Sequence, residues 1–180
     1  TGPDGKDLTT PGVEYTLWPE SYPIDCDAFM SDNTRKYVSY LWDPNQYINV
    51  MIYNFTNDNS GFTTLGIAHL PFSTKGSTFL EGLNPVESPY LTLNNLKCVS
   101  INSLYINEQS SGNSYNSADV TVTMAHELGH YLGLHHVFSE DDNGTYDGCI
   151  DSDYCKDTPT YNKEYYDQWS NTQLALGVHA

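Results

Sequence analysis

Positive charge is what this sequence lacks most. Seven Lys plus Arg stand against 23 Asp plus Glu, a formal net charge of −16 over 180 residues. Such a surface repels phosphate backbones, which excludes DNA and RNA as partners. Its positive meanings are solubility, cation binding by clustered carboxylates, or a cleft that favours basic peptides. No hydrophobic run approaches the roughly 20 residues that cross a bilayer as a helix, and no signal peptide is present, so the chain reads as mature or trimmed. Cysteine is sparse but even: Cys26, Cys98, Cys149 and Cys155 include no Cys-x-x-Cys pair, which argues against a structural zinc ribbon. No Gly-x-Ser-x-Gly elbow occurs and no internal repeat is visible.

What is present suits one globular domain, with 38% apolar and 13% aromatic residues in a chain long enough to bury its own core. Residues 1–12, full of breakers, read as a flexible N-terminal arm. Residues 13–17 alternate as a half-buried strand should, and Trp18-Pro19 ends them. Residues 32–42 are helix-like, with Tyr37, Val38 and Leu41 at core spacing and Asp43-Pro44 as a stop. Residues 47–55 are the strongest strand candidate, followed by 64–70 and 98–102, with 76–93 as a long loop or small excursion. A last helix should start at Ser117 or Asp119, either of which can cap it, and end at Leu132. The order predicts an α/β (α+β) domain: a mixed, mostly parallel sheet with a backing helix and an active-site helix.

That last helix carries the chemistry. Residues 126–136 read His-Glu-Leu-Gly-His-Tyr-Leu-Gly-Leu-His-His. Four-residue spacing stacks His126 and His130 on one helical face, where both imidazoles can grip one metal ion. Glu127 follows the first histidine, so its carboxylate turns away from ligation and toward a metal-held water that it can deprotonate as general base. Gly133 lets the backbone leave the helix through a left-handed conformation and bring His136 back as third ligand. A random arrangement of the same residues would contain these five matching positions about once in 50,000, so coincidence is set aside. His135 has the wrong spacing to replace His136 and reads as supporting or surface.

The extended motif resembles the metzincin zinc metalloendopeptidases and, within them, the pappalysin family, also called cytophagalysins. Three stretches carry the likeness: residues 130–138 (His-Tyr-Leu-Gly-Leu-His-His-Val-Phe), residues 149–159 with their closing Asp157-Thr158-Pro159, and residues 65–71 (Leu-Gly-Ile-Ala-His-Leu-Pro). The resemblance covers about residues 47–160. It implies a zincin-like fold, Zn2+ on the three histidines, and endopeptidase activity on a protein or peptide substrate. It also implies a substrate-flanking edge strand at Gly66, Ile67 and Ala68, able to pair with an extended peptide. The short step between Cys149 and Cys155 suggests a local disulfide, leaving Cys26 with Cys98, although sequence alone allows three pairings. Bridged cysteines and the resemblance point to a secreted or surface-tethered protein, with a lipoprotein-like membrane anchor expected upstream of the arm. Asp141, Asp142, Asp147, Asp151, Asp153 and Asp157 crowd oxygen ligands into one loop, and the resemblance makes them candidates for Ca2+.

One departure from the family pattern sets further expectations. Metzincins carry a methionine-containing turn beneath the metal, downstream of the third histidine. Met30, Met51 and Met124 all precede the end of the motif. The chain is therefore expected to be part of a longer catalytic domain, with an upper sub-domain to about residue 133 and an incomplete lower one over 134–180. Apolar surface around Leu128 and Leu132 would then be uncovered and promote self-association. The alternative is a non-catalytic module that holds metal and binds peptide without turnover, or an inactive fragment.

Overall fold

The computed structural model describes residues 1–56, 63–75, 79–86, 97–112, 114–137 and 153–158. Its first elements are a two-residue strand, β1 (Ile24–Asp25), and a five-residue helix, α1 (Cys26–Met30). The Asp25 carboxylate caps α1 by accepting the Ala28 N–H at 3.0 Å. Cys26, Phe29 and Met30, at helical spacing, turn into the core.

The helix expected over residues 32–42 is absent. Asp32 accepts hydrogen bonds from Thr34 N, the Thr34 hydroxyl and Tyr37 N at 2.6–2.9 Å, and Arg35 sits at φ +70°. These local bonds offer the backbone an alternative to the helical ladder, and only a 3-10 turn at Val38–Tyr40 remains. The predicted core positions are nevertheless inside. Tyr37 is buried, stacking on Phe29 at 4.8 Å and Trp18 at 5.4 Å, while Val38 and Leu41 pack against the same cluster.

Residues 13–17 form no strand either; Tyr15 and Leu17 are 84% and 91% exposed, so their alternation meets no partner face. The segment is tethered by the Trp42 indole N–H donating to Glu14 at 2.6 Å.

The expected strand over 47–55 exists but is split into β2 (Val50–Tyr53) and β3 (Phe55–Thr56). At Asn54 the partner changes, its carbonyl accepting from Ile24 N at 2.9 Å, and β3 then pairs with β1 in parallel. Downstream come β4 (Gly66–Ala68), β5 (Phe72–Thr74), β6 (Asn84–Val86) and β7 (Val99–Asn102). β5 and β6 form a parallel pair, β6 lying within the stretch 76–93 expected as a long loop or small excursion and β5 just before it.

The main sheet runs β2-β7-β4, with β7 parallel to β2 and antiparallel to β4. The fold is thus a mixed α/β arrangement, and three of the four strand pairs among the described residues are parallel. All four residues of the central strand β7 are buried, as a strand covered on both faces requires. Val99 and Ile101 face the long helix α2 (Val120–Tyr131), while the Ser100 hydroxyl sits 3.2 Å from Met30 Sδ on the opposite face.

Cys26 and Cys98, expected as a long-range disulfide, are instead free thiols in one core cluster. Burial pushes the Cys26 thiol up to about 11 and the Cys98 thiol up to about 12, which disfavours the thiolate in both. An expectation that rests on elimination from the loop cysteines carries no geometric requirement, and here the Cys98 thiol instead meets Met30 Sδ at 3.8 Å.

Candidate metal centre

The helix α2 owes its position to both ends. At its start the Asp119 carboxylate accepts from the Thr121 hydroxyl at 2.6 Å, from Thr121 N at 2.9 Å and from Ser110 N at 2.7 Å. These bonds, the Thr121 hydroxyl foremost, hold Asp119 well below the usual carboxylate range. Along the helix Val120, Thr123 and Glu127 are buried, and Met124, Leu128 and Tyr131 pack near Val99 and Ile101. Leu128, half-buried, packs against that cluster, while Leu132 and Leu134 beyond it are exposed, at 71% and 64%.

At its end Gly133 adopts φ +105°, with Gly133 N donating to His130 O at 2.9 Å and Leu134 N to Gly129 O at 3.0 Å. This is a Schellman turn, in which a left-handed residue lets the chain reverse while satisfying the last helical carbonyls. A side chain at Gly133 would also come within 3.2 Å of Pro71 Cγ. The reversal carries His136 back alongside the helix.

His126, His130 and His136 converge through their Nε2 atoms, which lie 3.0, 3.0 and 3.1 Å apart. Tetrahedral zinc with bonds of about 2.0–2.1 Å would set its nitrogens roughly 3.3–3.4 Å apart, so the triangle is within about 0.4 Å of that set. The donor chemistry agrees. His130 Nδ1 lies 2.7 Å from the Leu134 carbonyl, which can only accept, so Nδ1 carries the proton and Nε2 presents a lone pair to the shared point. Nitrogens so crowded are suited to a cation between them. His126 is exposed and the other two are partly buried, leaving the centre open on one side.

Glu127 turns the other way, under the edge strand β4. It is buried, and burial raises its carboxyl pKa above the ordinary value, with the nearby His130 opposing. Gly66 makes room for it: a Cβ there would lie 2.7 Å from Glu127 Cγ and 3.1 Å from Thr123 Cγ2. Gly66, Ile67 and Ala68 together are β4, whose one strand partner among the described residues is β7, on one of its two edges.

Other expected site residues fall elsewhere. Asp141, Asp142, Asp147, Asp151 and Cys149 lie outside the described residues. Asp153 accepts from Cys155 N at 2.8 Å, and Asp157 is exposed. His135 is not among the converging histidines; its Nε2 is buried without a hydrogen-bond partner among the described residues, and its ring meets Tyr154 at 5.2 Å. Neither the Leu134 carbonyl nor Gly66 was singled out for its contact with the site, since both act through backbone geometry that residue type does not reveal.

The chain matches the peptidase family described as pregnancy-associated plasma protein-A over residues 31–176. Proteins named extracellular metalloprotease from Arthroderma benhamiae, Trichophyton verrucosum and Arthroderma otae are each 52% identical over 42 residues. Each match spans 23% of this chain and 14% of the relative.

Proposed function

The chain belongs to the pregnancy-associated plasma protein-A family of peptidases, and on that premise we propose that it is the metal-bearing part of an extracellular zinc endopeptidase acting on proteins or peptides. The observation that carries this reading is the meeting of three imidazole nitrogens within 3.1 Å beside a buried, acid-weakened Glu127. His126, His130 and His136 would hold Zn2+. When bound, zinc supplies a Lewis acid that polarises the scissile carbonyl and acidifies water.

The chain's own residues do the rest. Glu127, with its raised pKa, is suited to accept a proton from the attacking water and to deliver it to the leaving amine. The edge of β4 that no described strand occupies can receive an extended substrate through main-chain hydrogen bonds, which fixes the scissile bond's height over the site. Leu134 keeps His130 in one tautomer through both events. We read the fold as zincin-like, with residues up to about 133 as an upper sub-domain, and exposed Leu132 and Leu134 as a seat for self-association. Extracellular location follows the relatives' names.

The test is metal content together with hydrolysis of an unfolded protein by the complete gene product. One zinc per chain is expected, lost on His126→Ala, His130→Ala or His136→Ala. Glu127→Gln should keep zinc and lower hydrolysis by about 10²-fold or more. Zinc and peptide binding with no hydrolysis in the unmutated protein would assign a binding module instead.

A further inference from the structure

We propose that Tyr154 is a positioning residue for the histidine triad: its ring, laid on Gly82, clasps His135 and so fixes the turn that presents His136. The inference rests on reading that triad as a metal centre. It starts from three segments, distant in sequence, that converge behind residues 133–136.

The first contact is between Tyr154 and Gly82. A Cβ on Gly82 would lie 2.3 Å from Tyr154 Cε2 and 2.4 Å from Cδ2, so the ring is seated where only glycine leaves space. Gly82 is at φ +84°, which glycine alone adopts without penalty. Tyr154 itself is at φ +60°, a left-handed conformation that an L-residue holds only when its surroundings over-determine it. The pairing of β5 with β6 on either side of Gly82 supplies a rigid mount.

The second contact is between Tyr154 and His135. Their rings meet edge to face, 5.2 Å apart at 67°. His135 Nε2 is buried, without a hydrogen-bond partner among the described residues, and would lie 3.0 Å from a Gly82 Cβ. Packing against Tyr154 and Gly82 is therefore what holds this ring. Among the described residues the nitrogens that meet at one point are those of His126, His130 and His136, and His135 is outside that group.

What lies on either side of His135 gives the contact its consequence. Leu134 O accepts the His130 Nδ1 proton at 2.7 Å, and His136 Nε2 stands 3.0 and 3.1 Å from the other two nitrogens. Two of the three imidazoles thus depend on the backbone flanking His135. From beneath, Pro71 and Leu83 close on Gly133, whose Cβ would lie 3.2 and 3.8 Å from them. The turn thus meets that pair at Gly133 and the Tyr154 ring at His135. The Tyr154 hydroxyl plays no part in this account.

The test is titration of metal-free protein with Zn2+ against a competing chelator, with Co2+ as a spectroscopic stand-in, for wild type, Tyr154→Phe, Tyr154→Ala and Gly82→Ala. Loss of the clasp by Tyr154→Ala or Gly82→Ala should weaken zinc binding by roughly 10–100-fold, as lost outer supports of a metal site do, and alter the Co2+ absorption bands. Tyr154→Phe should match wild type in both. Unchanged affinity and spectrum in Tyr154→Ala would overturn the proposal, as would a defect in Tyr154→Phe equal to that in Tyr154→Ala. Melting of the metal-free proteins identifies any variant that has lost its fold, in which case the comparison of Phe with wild type and the other variant decides. Wild type that takes up no zinc, or keeps it after His126→Ala, would sink the metal-centre reading itself.

Discussion

A hydrogen atom at Gly66 sets how closely β4 can approach the helix that carries Glu127. Gly66→Ala would drive a methyl group to 2.7 Å from Glu127 Cγ, so either the carboxylate side chain or the helix must move. Overpacking of this kind costs about 1–3 kcal/mol. The expected outcome is a lower melting temperature and a loss of hydrolysis larger than any loss of zinc, read by calorimetry, metal analysis and a protein-cleavage assay. Wild-type turnover in this variant would mean that Glu127 has freedom the packing does not suggest. The contrast with the histidines explains what was legible. His126, His130, Glu127 and His136 follow from spacing along one short segment, whereas the role of Gly66 depends on which strand comes to lie over which helix turn.

Elements with strong end signals were equally readable. The helix α2 starts at one of the two caps expected for it, Asp119, and its C-cap is Leu132, because both boundaries are written in local chemistry. Strands over 64–70 and 98–102 also came out of the pattern, though shorter than expected. Residues 32–42 misled because core spacing and helical spacing coincide there, while the Asp32 bonds that dissolve the helix involve three separate donors. The caps support two predictions. Asp119 has a depressed pKa in the fold, so its stabilising effect is present above the ordinary Asp range near pH 4 and drains away as acid is added below it. Asp119→Asn should therefore flatten the fall of melting temperature between about pH 5 and pH 2; an unchanged slope would take Asp119 out of acid unfolding. Gly133→Ala places a side chain at φ +105° and against Pro71, so zinc affinity and melting temperature should fall together. Retention of both would show that the turn can be made otherwise.

For the whole molecule a metal held by the three histidines would be a large adjustable source of stability. A ligand present at 100 times its Kd and bound by the folded state alone adds about 2.7 kcal/mol. For a domain of this size that is a rise of roughly 5–10 °C in Tm. Zinc added to the stripped protein should give such a rise, and a chelator should abolish it. A variant without His126, His130 and His136 should show no response, and a persistent shift there would locate the ion elsewhere. The overall architecture was less legible than the site. A split at Asn54 and a separate parallel pair at β5 and β6 come from long-range partner choice, and the two core thiols share one cluster as free cysteines.

The closeness of the three histidines along the chain also bears on the order in which the molecule is made. All of them lie within residues 126–136, so the ligand set closes a loop of about ten residues, an event of tens of nanoseconds once the helix exists. The chain must grow a further 18 residues, from 136 to 154, before Tyr154 is available, which at 5–20 residues per second takes about 1–4 s. Residues leave the ribosome in the order in which they are joined, so the histidines emerge ahead of Tyr154 by that same interval, before the support behind them can reach them. Metal capture during synthesis would then precede the closing of the turn's outer wall, and an ion taken early would be enclosed by chain that arrives after it.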